Sequence, residues 1–314
     1  MTTNRSIAAA LLFTLLLGGT AAVSAKRIYQ YRDANGMLHF TDRKPDEAGI
    51  EVKETKVDVD PQKLVEMLVN EAGMEHVVTL INRSAGPTTV SLSFSDQNNI
   101  VATPPLPLDV VLGAFENREV ARIAGDQPGQ PAGFSLAYRA LPGAPSRLER
   151  SDFPYRFPFA NPDETVLGQG FNGSFSHNDA QSLYAVDLGV AEGTPVRAAR
   201  GGVVMIVEQD FEGSGLDRDK YADRANSVRI LHDDGSMGVY AHLEFESVMV
   251  AAGNRVNAGQ VLGRAGSTGF STGPHLHFAI QVNTGTDLVS IPFAFQDGKP
   301  GPLDSAIRAE METN

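Results

Sequence analysis

The sequence predicts a predominantly β protein: a large antiparallel-β domain preceded by a small β-sandwich and an N-terminal β-hairpin domain. Three observations predict it. Apolar and polar residues alternate at period two in segment after segment, as where Val90, Leu92 and Phe94 interleave with Thr89, Ser91 and Ser93. Clusters of Gly, Pro, Asn and Asp interrupt these runs at short intervals. No long stretch carries the period of an amphipathic helix.

Taken in order, residues 1–25 have the pattern of a secretory leader. Arg5 precedes the apolar run Ile7 to Leu17, and Val23-Ser24-Ala25 is a small-x-small cleavage site. That run is too short for an ordinary membrane-spanning helix, and no second one of suitable length follows. The mature chain is therefore expected outside the cytoplasm, in the periplasm or secreted, with no stable membrane insertion. Residues 26–55 follow as a hairpin domain. Ile28 to Tyr31 and Leu38 to Asp42 read as strands around Asp33-Ala34-Asn35-Gly36, a strong turn signal. Residues 56–75 are charged and read as a linker, with a short helix from Pro61 to Asn70 because Pro suits a helix start. Residues 76–150 form the sandwich, with strands at Val77 to Ile81, around Val90 to Phe94, and around Phe134 to Tyr138. A Pro-rich connection leads into the main domain, residues 151–298, and residues 299–314 are a tail.

Composition narrows the partners. The net charge is −12, and loss of Arg5 with the leader makes it one unit more negative. Such a chain is a poor nucleic-acid ligand, and it gains no global attraction to a polymer bearing carboxylates, so recognition must be local. Cysteine is absent, which excludes a thiol nucleophile, thiolate metal ligands and a disulfide framework.

Chemistry concentrates in the main domain. Gly269 to Pro274 leads into His275-Leu276-His277-Phe278-Ala279-Ile280, which reads as a strand. Alternation puts His275 and His277 on one face and Leu276, Phe278 and Ile280 on the other. Asp187 lies in a second strand, opposite in facing to Tyr184, Val186 and Leu188; a carboxylate so placed needs a partner or a metal. His177 stands in a polar loop ten residues upstream, and His242 follows Val239-Tyr240-Ala241. Two imidazoles on one open face can hold a metal, relay a proton, or do both. Neither His-Glu-x-x-His nor a Gly-x-Ser-x-Gly elbow is present.

Together these motifs resemble the lysostaphin/LytM-type zinc endopeptidases of peptidoglycan, over roughly Tyr155 to Phe295. The landmarks run in the family's order: the His177…Asp187 pair, Gly193-Thr194-Pro195-Val196, Gly201-Gly202-Val203-Val204, Tyr240-Ala241-His242-Leu243, Gly259 to Gly263, and Gly266 to His277. Strand alternation alone does not divide the work between His275 and His277; the resemblance does. It implies His177, Asp187 and His277 as ligands of one zinc ion, and His242 and His275 as catalytic histidines. The connection between His177 and Asp187 is longer than usual in the family and reads as a loop insertion. The polar stretch from Gln209 to Asn226 sits where a hairpin usually turns, and reads as a solvated loop or a rim of the substrate groove. The hairpin domain resembles a small domain of unknown function common at the mature N-terminus of secreted proteobacterial proteins.

The remaining histidines, His39, His76 and His232, read as structural. The resemblance implies an exported metal-dependent hydrolase of peptidoglycan peptide stems. A Gram-negative wall makes the bond from D-Ala to meso-diaminopimelate the expected target. Two alternatives belong to other classes: an inactive relative that activates a cell-wall amidase, and a plain wall-binding module. The N-terminal domains are placed to meet a regulatory partner, and the sandwich either to fold back over the groove and block it or to position the protein on its substrate or a partner.

Overall fold

A computed structural model describes residues 27–41, 44–45, 50–56 and 60–296. The leader and the tail lie outside the described residues. Two compact units divide at Val59/Asp60.

In the first unit, β1 (Arg27–Arg32) and β2 (Leu38–Thr41) form the expected hairpin. The amides of Asn35 and Met37 both donate to Asp33 Oδ1, at 2.9 and 3.0 Å, and Gly36 takes the left-handed φ of 82° that closes the turn. His39 pairs with Asp33 Oδ2 at 2.9 Å and stacks on Tyr31, a structural role. A third strand, β3 (Val52–Lys56), pairs along the other edge of β1. It supplies what a lone two-stranded hairpin lacks for independent stability.

The second unit begins with two facing sheets. β4 (Val65–Ala72), β5 (Glu75–Asn82), β6 (Thr88–Asn98), β7 (Ile100–Thr103), β8 (Leu108–Leu112), β9 (Asn117–Gly125) and β10 (Gly133–Pro142) assemble in the orders β4-β5-β9-β7 and β10-β6-β8. Val78, Leu80, Val90, Leu92, Leu112 and Ile123 fill the space between them. β4 corrects the expectation of a linker with a short helix from Pro61 to Asn70. It pairs with β5 from Val65↔Asn82 to Ala72↔Glu75 and buries Val65, and this pairing outweighs the local helix-start signal. His76 packs edge-on against Phe134 in this sandwich.

The C-terminal β domain opens with β11 (Pro154–Tyr155), β12 (Val166–Gln169), β13 (Ala185–Gly189), β14 (Pro195–Arg197) and β15 (Gly202–Glu208). β16 (Ser214–Gly215) and the one-turn helix α1 (Arg218–Tyr221) follow, then β17 (Ser227–Leu231), β18 (Met237–Ala241), β19 (Arg255–Val256) and β20 (Val261–Arg264). β21 (Gly269–Phe270), β22 (His275–Asn283), β23 (Leu288–Ser290) and β24 (Ala294–Phe295) complete it. The main sheet runs β12-β13-β22-β18-β17-β15-β19, with β23 also on β22, and its pairs are antiparallel.

One face of this sheet is the core. Leu188, Leu276, Phe278, Ile280, Tyr240 and Ile230 point into it and meet Tyr155, Phe171 and Phe293. The other face carries Asp187, His277, Gln281, Val239 and Arg229, because alternation sends the neighbours of core residues outward. At one end this second face is open. At the other end the sandwich sits on it: Met205, Met237 and Leu288 are buried with Leu141 of β10 packed against them. Asn283 Nδ2 donates to Thr89 Oγ1 at 2.9 Å and to the Gly143 carbonyl at 2.8 Å. The amide of Ala85 donates to the Met205 carbonyl.

Candidate active site

Register explains why the acid and the histidine meet. Asp187 of β13 lies directly opposite His277 of β22, and His277 lies opposite Ala241 of β18. The small Ala241 leaves room beside His277, and His242 follows at the strand end with a left-handed φ of 63°. That conformation is costly for a residue with a Cβ and turns the imidazole back over the same face. His275 begins β22, so it shares the facing of His277.

Three of the five implied residues converge closely. One donor atom from each of His177, Asp187 and His277 lies within 4.8 Å of the others. His177 Nε2 is 3.1 Å from Asp187 Oδ1, and His277 Nδ1 is 2.9 Å from the same oxygen. His177 is fully buried, and its Nδ1–H donates to the Gly170 carbonyl at 2.8 Å. A carbonyl can only accept, so that bond holds a proton on Nδ1 and turns Nε2 toward Asp187, where it offers a lone pair in the neutral ring and an N–H in the protonated one. The long connection before Asp187 therefore folds as a loop that still delivers the ring. Asp179 is spent within that loop: the amides of Gln181 and Ser182 and the Ser182 hydroxyl all donate to its Oδ1.

Electrostatics match this donor set. Burial alone would raise the Asp187 carboxyl, but hydrogen bonds and charge from His177 and His277 outweigh it and hold it well below the usual carboxylate range. It is ionised at neutral pH, as a metal ligand must be. Burial pulls His177 down, yet the Asp187 carboxylate beside it makes the net shift upward. Two imidazole nitrogens and one carboxylate oxygen, each oriented by a second hydrogen bond or by the strand register, fit a zinc ion.

Gln169, overlooked in the sequence, completes the setting. Its Nε2 donates to Asp187 Oδ2 at 3.2 Å and to Ser176 Oγ at 2.8 Å, while its Oε1 accepts from the amides of Phe175 and Ser176. It thus ties the carboxylate to the loop carrying His177.

The other two histidines stand beside the trio. The rings of His242 and His275 are 4.6 Å apart, and His242 is 5.9 Å from His277. His242 Nδ1–H donates to the Thr268 carbonyl at 2.7 Å, and His275 Nδ1–H to the Gly273 carbonyl at 2.8 Å. Each therefore keeps Nε2 free of its own proton when neutral; that of His275 is 3.8 Å from Asp187 Oδ1. Burial, with His275 and His277 adjacent, pushes His242 down to about 3. His232 lies elsewhere: it is buried beside Tyr155 and donates to the Gly201 carbonyl at 3.0 Å.

Asp187, His277, His242, His275 and Gln169 line a groove of about 710 Å³, with His177 buried behind them. The second half of the stretch from Gln209 to Asn226 contributes to its rim. β16 pairs with β21, and Arg218, Ala222 and Asp223 face the groove. Gly269 in β21 needs its left-handed φ of 84°, and a Cβ there would come within 2.9 Å of Ala225. Across the groove mouth, Phe175 stacks on Phe270 at 6.0 Å, and the Arg218 guanidinium lies 4.4 Å above the Phe270 ring. No residue of the sandwich is among those lining the groove, which corrects the expectation that the sandwich folds over it.

Comparison with known proteins agrees with the resemblance. Residues 181–288 match peptidase family M23, and residues 15–64 match a domain of unknown function (DUF4124). The DD-carboxypeptidase/endopeptidase Mpg of Neisseria meningitidis is 39% identical over 98 residues, 31% of this chain and 20% of that protein. Lysostaphin of Staphylococcus simulans is 37% identical over 102 residues, 32% of this chain and 18% of its own length. The peptidoglycan DD-endopeptidase ShyA of Vibrio cholerae is 35% identical over 96 residues, 31% of this chain and 19% of that protein. The chain thus spans about a fifth of the length of these relatives. The crystallised catalytic domain of lysostaphin aligns with a TM-score of 0.28 at 28% identity, covering 44% of this chain and 85% of that one.

Proposed function

We propose, starting from a chain that carries a peptidase family M23 domain homologous to the lysostaphin/LytM-type endopeptidases, that this protein is an exported zinc endopeptidase. Its substrate is the peptide cross-link of bacterial peptidoglycan, and its bond the D,D-linkage from D-Ala to meso-diaminopimelate. The observation that carries this reading is the convergence of His177, Asp187 and His277 beside two further imidazoles, with all but the buried His177 lining one groove. An inactive, amidase-activating relative is disfavoured, since every side chain needed for metal binding and proton transfer is present and oriented.

His177, Asp187 and His277 would hold a zinc ion, which would supply the Lewis acidity needed to make a water proton acidic near neutral pH. The chain's own residues supply the rest. Gln169 and the strand register hold Asp187, so the donor set keeps its shape during turnover. His242 is neutral at neutral pH, and the carbonyl of Thr268 fixes its tautomer. His275 is fixed likewise by Gly273. One of the two Nε2 atoms accepts a proton from the attacking water, and the imidazolium so formed stabilises the developing oxyanion before it gives the proton to the leaving amine. Arg218, Ala222, Asp223 and Ala225, with the Phe175–Phe270 pair, wall the groove on one side and position the substrate.

The test is mass spectrometry of muropeptides released from purified sacculi, with and without chelator. Cross-linked dimers should convert to monomers, chelator should stop it, and zinc should restore it. Undiminished dimers in every arm would refute the reading. Export is tested separately, by fractionating cells that express the full chain.

A further inference from the structure

Arg229 of β17 is the strongest unexplained group on the groove floor. It lies between the core residues Val228 and Ile230, so alternation turns it onto the face that carries the trio. It is half-buried, and its Nη1 donates to Gln281 Oε1 at 2.7 Å. Gln281 is itself held, its Nε2 donating to the Gln181 carbonyl at 2.8 Å. No carboxylate among the described residues pairs with Arg229, and burial lowers it to about 10. A desolvated guanidinium without an anion is expensive, and a structural arginine is normally given one.

Its position supplies the ligand. Register places Arg229 level with Val239 and Ala279, one outward-facing step beyond Ala241 and His277. Gln281, which it touches, is four residues along β22 from His277, about 13 Å at the rise of a strand. The next floor residue past Val239 on β18 is Met237, and that one is buried under the sandwich. The groove floor therefore stops at Arg229 and Gln281. A cation at the closed end of a groove selects a chain terminus.

We propose that Arg229, oriented by Gln281, binds the free C-terminal carboxylate of a peptidoglycan stem lying in the groove. This rests on the peptidoglycan reading above. In a D-Ala to diaminopimelate cross-link, the stem that supplies the amine ends in such a carboxylate. An extended diaminopimelate side chain and one further residue span about 10 Å, which carries it from the cut amide to Arg229. The planar guanidinium binds a carboxylate with two parallel hydrogen bonds, a geometry lysine does not reproduce.

The experiment measures binding apart from turnover. Calorimetry is run on the full-length, zinc-loaded His275→Ala protein with a cross-linked muropeptide dimer and with its C-terminal carboxamide. Amidation should weaken binding about tenfold when Arg229 is present. It should weaken it less than twofold in Arg229→Gln, with Arg229→Lys intermediate, at unchanged zinc content. Equal affinity for both dimers with Arg229 in place, no binding of either, or an amidation penalty that persists in Arg229→Gln would overturn the proposal. If Arg229→Gln does not fold, Arg229→Lys alone decides: an unreduced amidation penalty there overturns the bidentate contact. Discrimination through Arg229 in a protein whose wild-type form leaves sacculi intact would refute the hydrolase and keep the subsite.

Discussion

Asp187 and His277 face one another across adjacent strands as a register pair, and Asp187 Oδ1 lies 2.9 Å from His277 Nδ1. The same oxygen meets His177 Nε2, so one carboxylate atom organises two imidazoles arriving from different parts of the chain. Loss of that carboxylate removes the shared partner of both rings.

Metal content follows from this arrangement. The protein should bind about one zinc ion per chain, and Asp187→Ala, His277→Ala and His177→Ala should each lose it, because two ligands remain where three are needed. His242→Ala and His275→Ala should retain it. Elemental analysis of dialysed protein reads the result, and stoichiometric zinc in Asp187→Ala would contradict the ligand set.

Turnover should separate from metal binding. His242→Ala and His275→Ala should each lower the rate of dimer cleavage by roughly 10² to 10⁴-fold, the range for acid–base and oxyanion groups. Normal rates in either variant would remove that histidine from the mechanism.

Stability should depend on pH through His232. Burial lowers this histidine to about 4, against about 6.5 in an unfolded chain. The unfolded state therefore binds the proton first. The stability His232 contributes is complete above about pH 6.5, falls as the pH drops toward 4, and then levels off; the difference is on the order of 3 kcal/mol. Urea midpoints between pH 7 and 4 should fall less steeply in His232→Gln than in the parent. Parallel slopes would show that other groups govern the acid limb.

The sandwich should behave as a structural buttress rather than an inhibitor. Asn283→Ala removes two buried donations, to Thr89 and Gly143, and should cost about 1 to 3 kcal/mol. A chain starting at Ser151 would expose Met205, Met237 and Leu288, and should aggregate or melt earlier than the parent. Light scattering and thermal melts test this. A soluble truncated chain that cuts sacculi faster than the parent would restore the inhibitory role.

Most of the site was legible because strand alternation is a local property. Asp187 between Val186 and Leu188, and His275 and His277 flanking Leu276, declare their face without knowledge of the fold. Which strand lies beside which is non-local, so the register pairing of Asp187 with His277 was open until the sheet was assembled. His177 sits in a loop, where no periodicity exists, and only the family resemblance pointed to it. Arg229 between Val228 and Ile230 offered the same alternation signal as Asp187 and was passed over. β4 was missed because its charged surroundings read as solvated linker, and β3 because a hairpin signal names only two strands; in both cases pairing with a neighbour supplied the hydrogen bonds the composition did not advertise. The rim role of Gln209 to Asn226 depends on β16 meeting β21, again a contact between distant segments.

β22 holds His275 and His277 at one end and Asn283 at the other. It is hydrogen-bonded along β13 and β18, and at its far end also to β23. Such a strand behaves as a stiff rod: a slide by one residue would invert every side chain, and a slide by two would break the whole ladder at once. One continuous, fully paired strand therefore joins the contact of Asn283 with the sandwich to the two histidines of the groove.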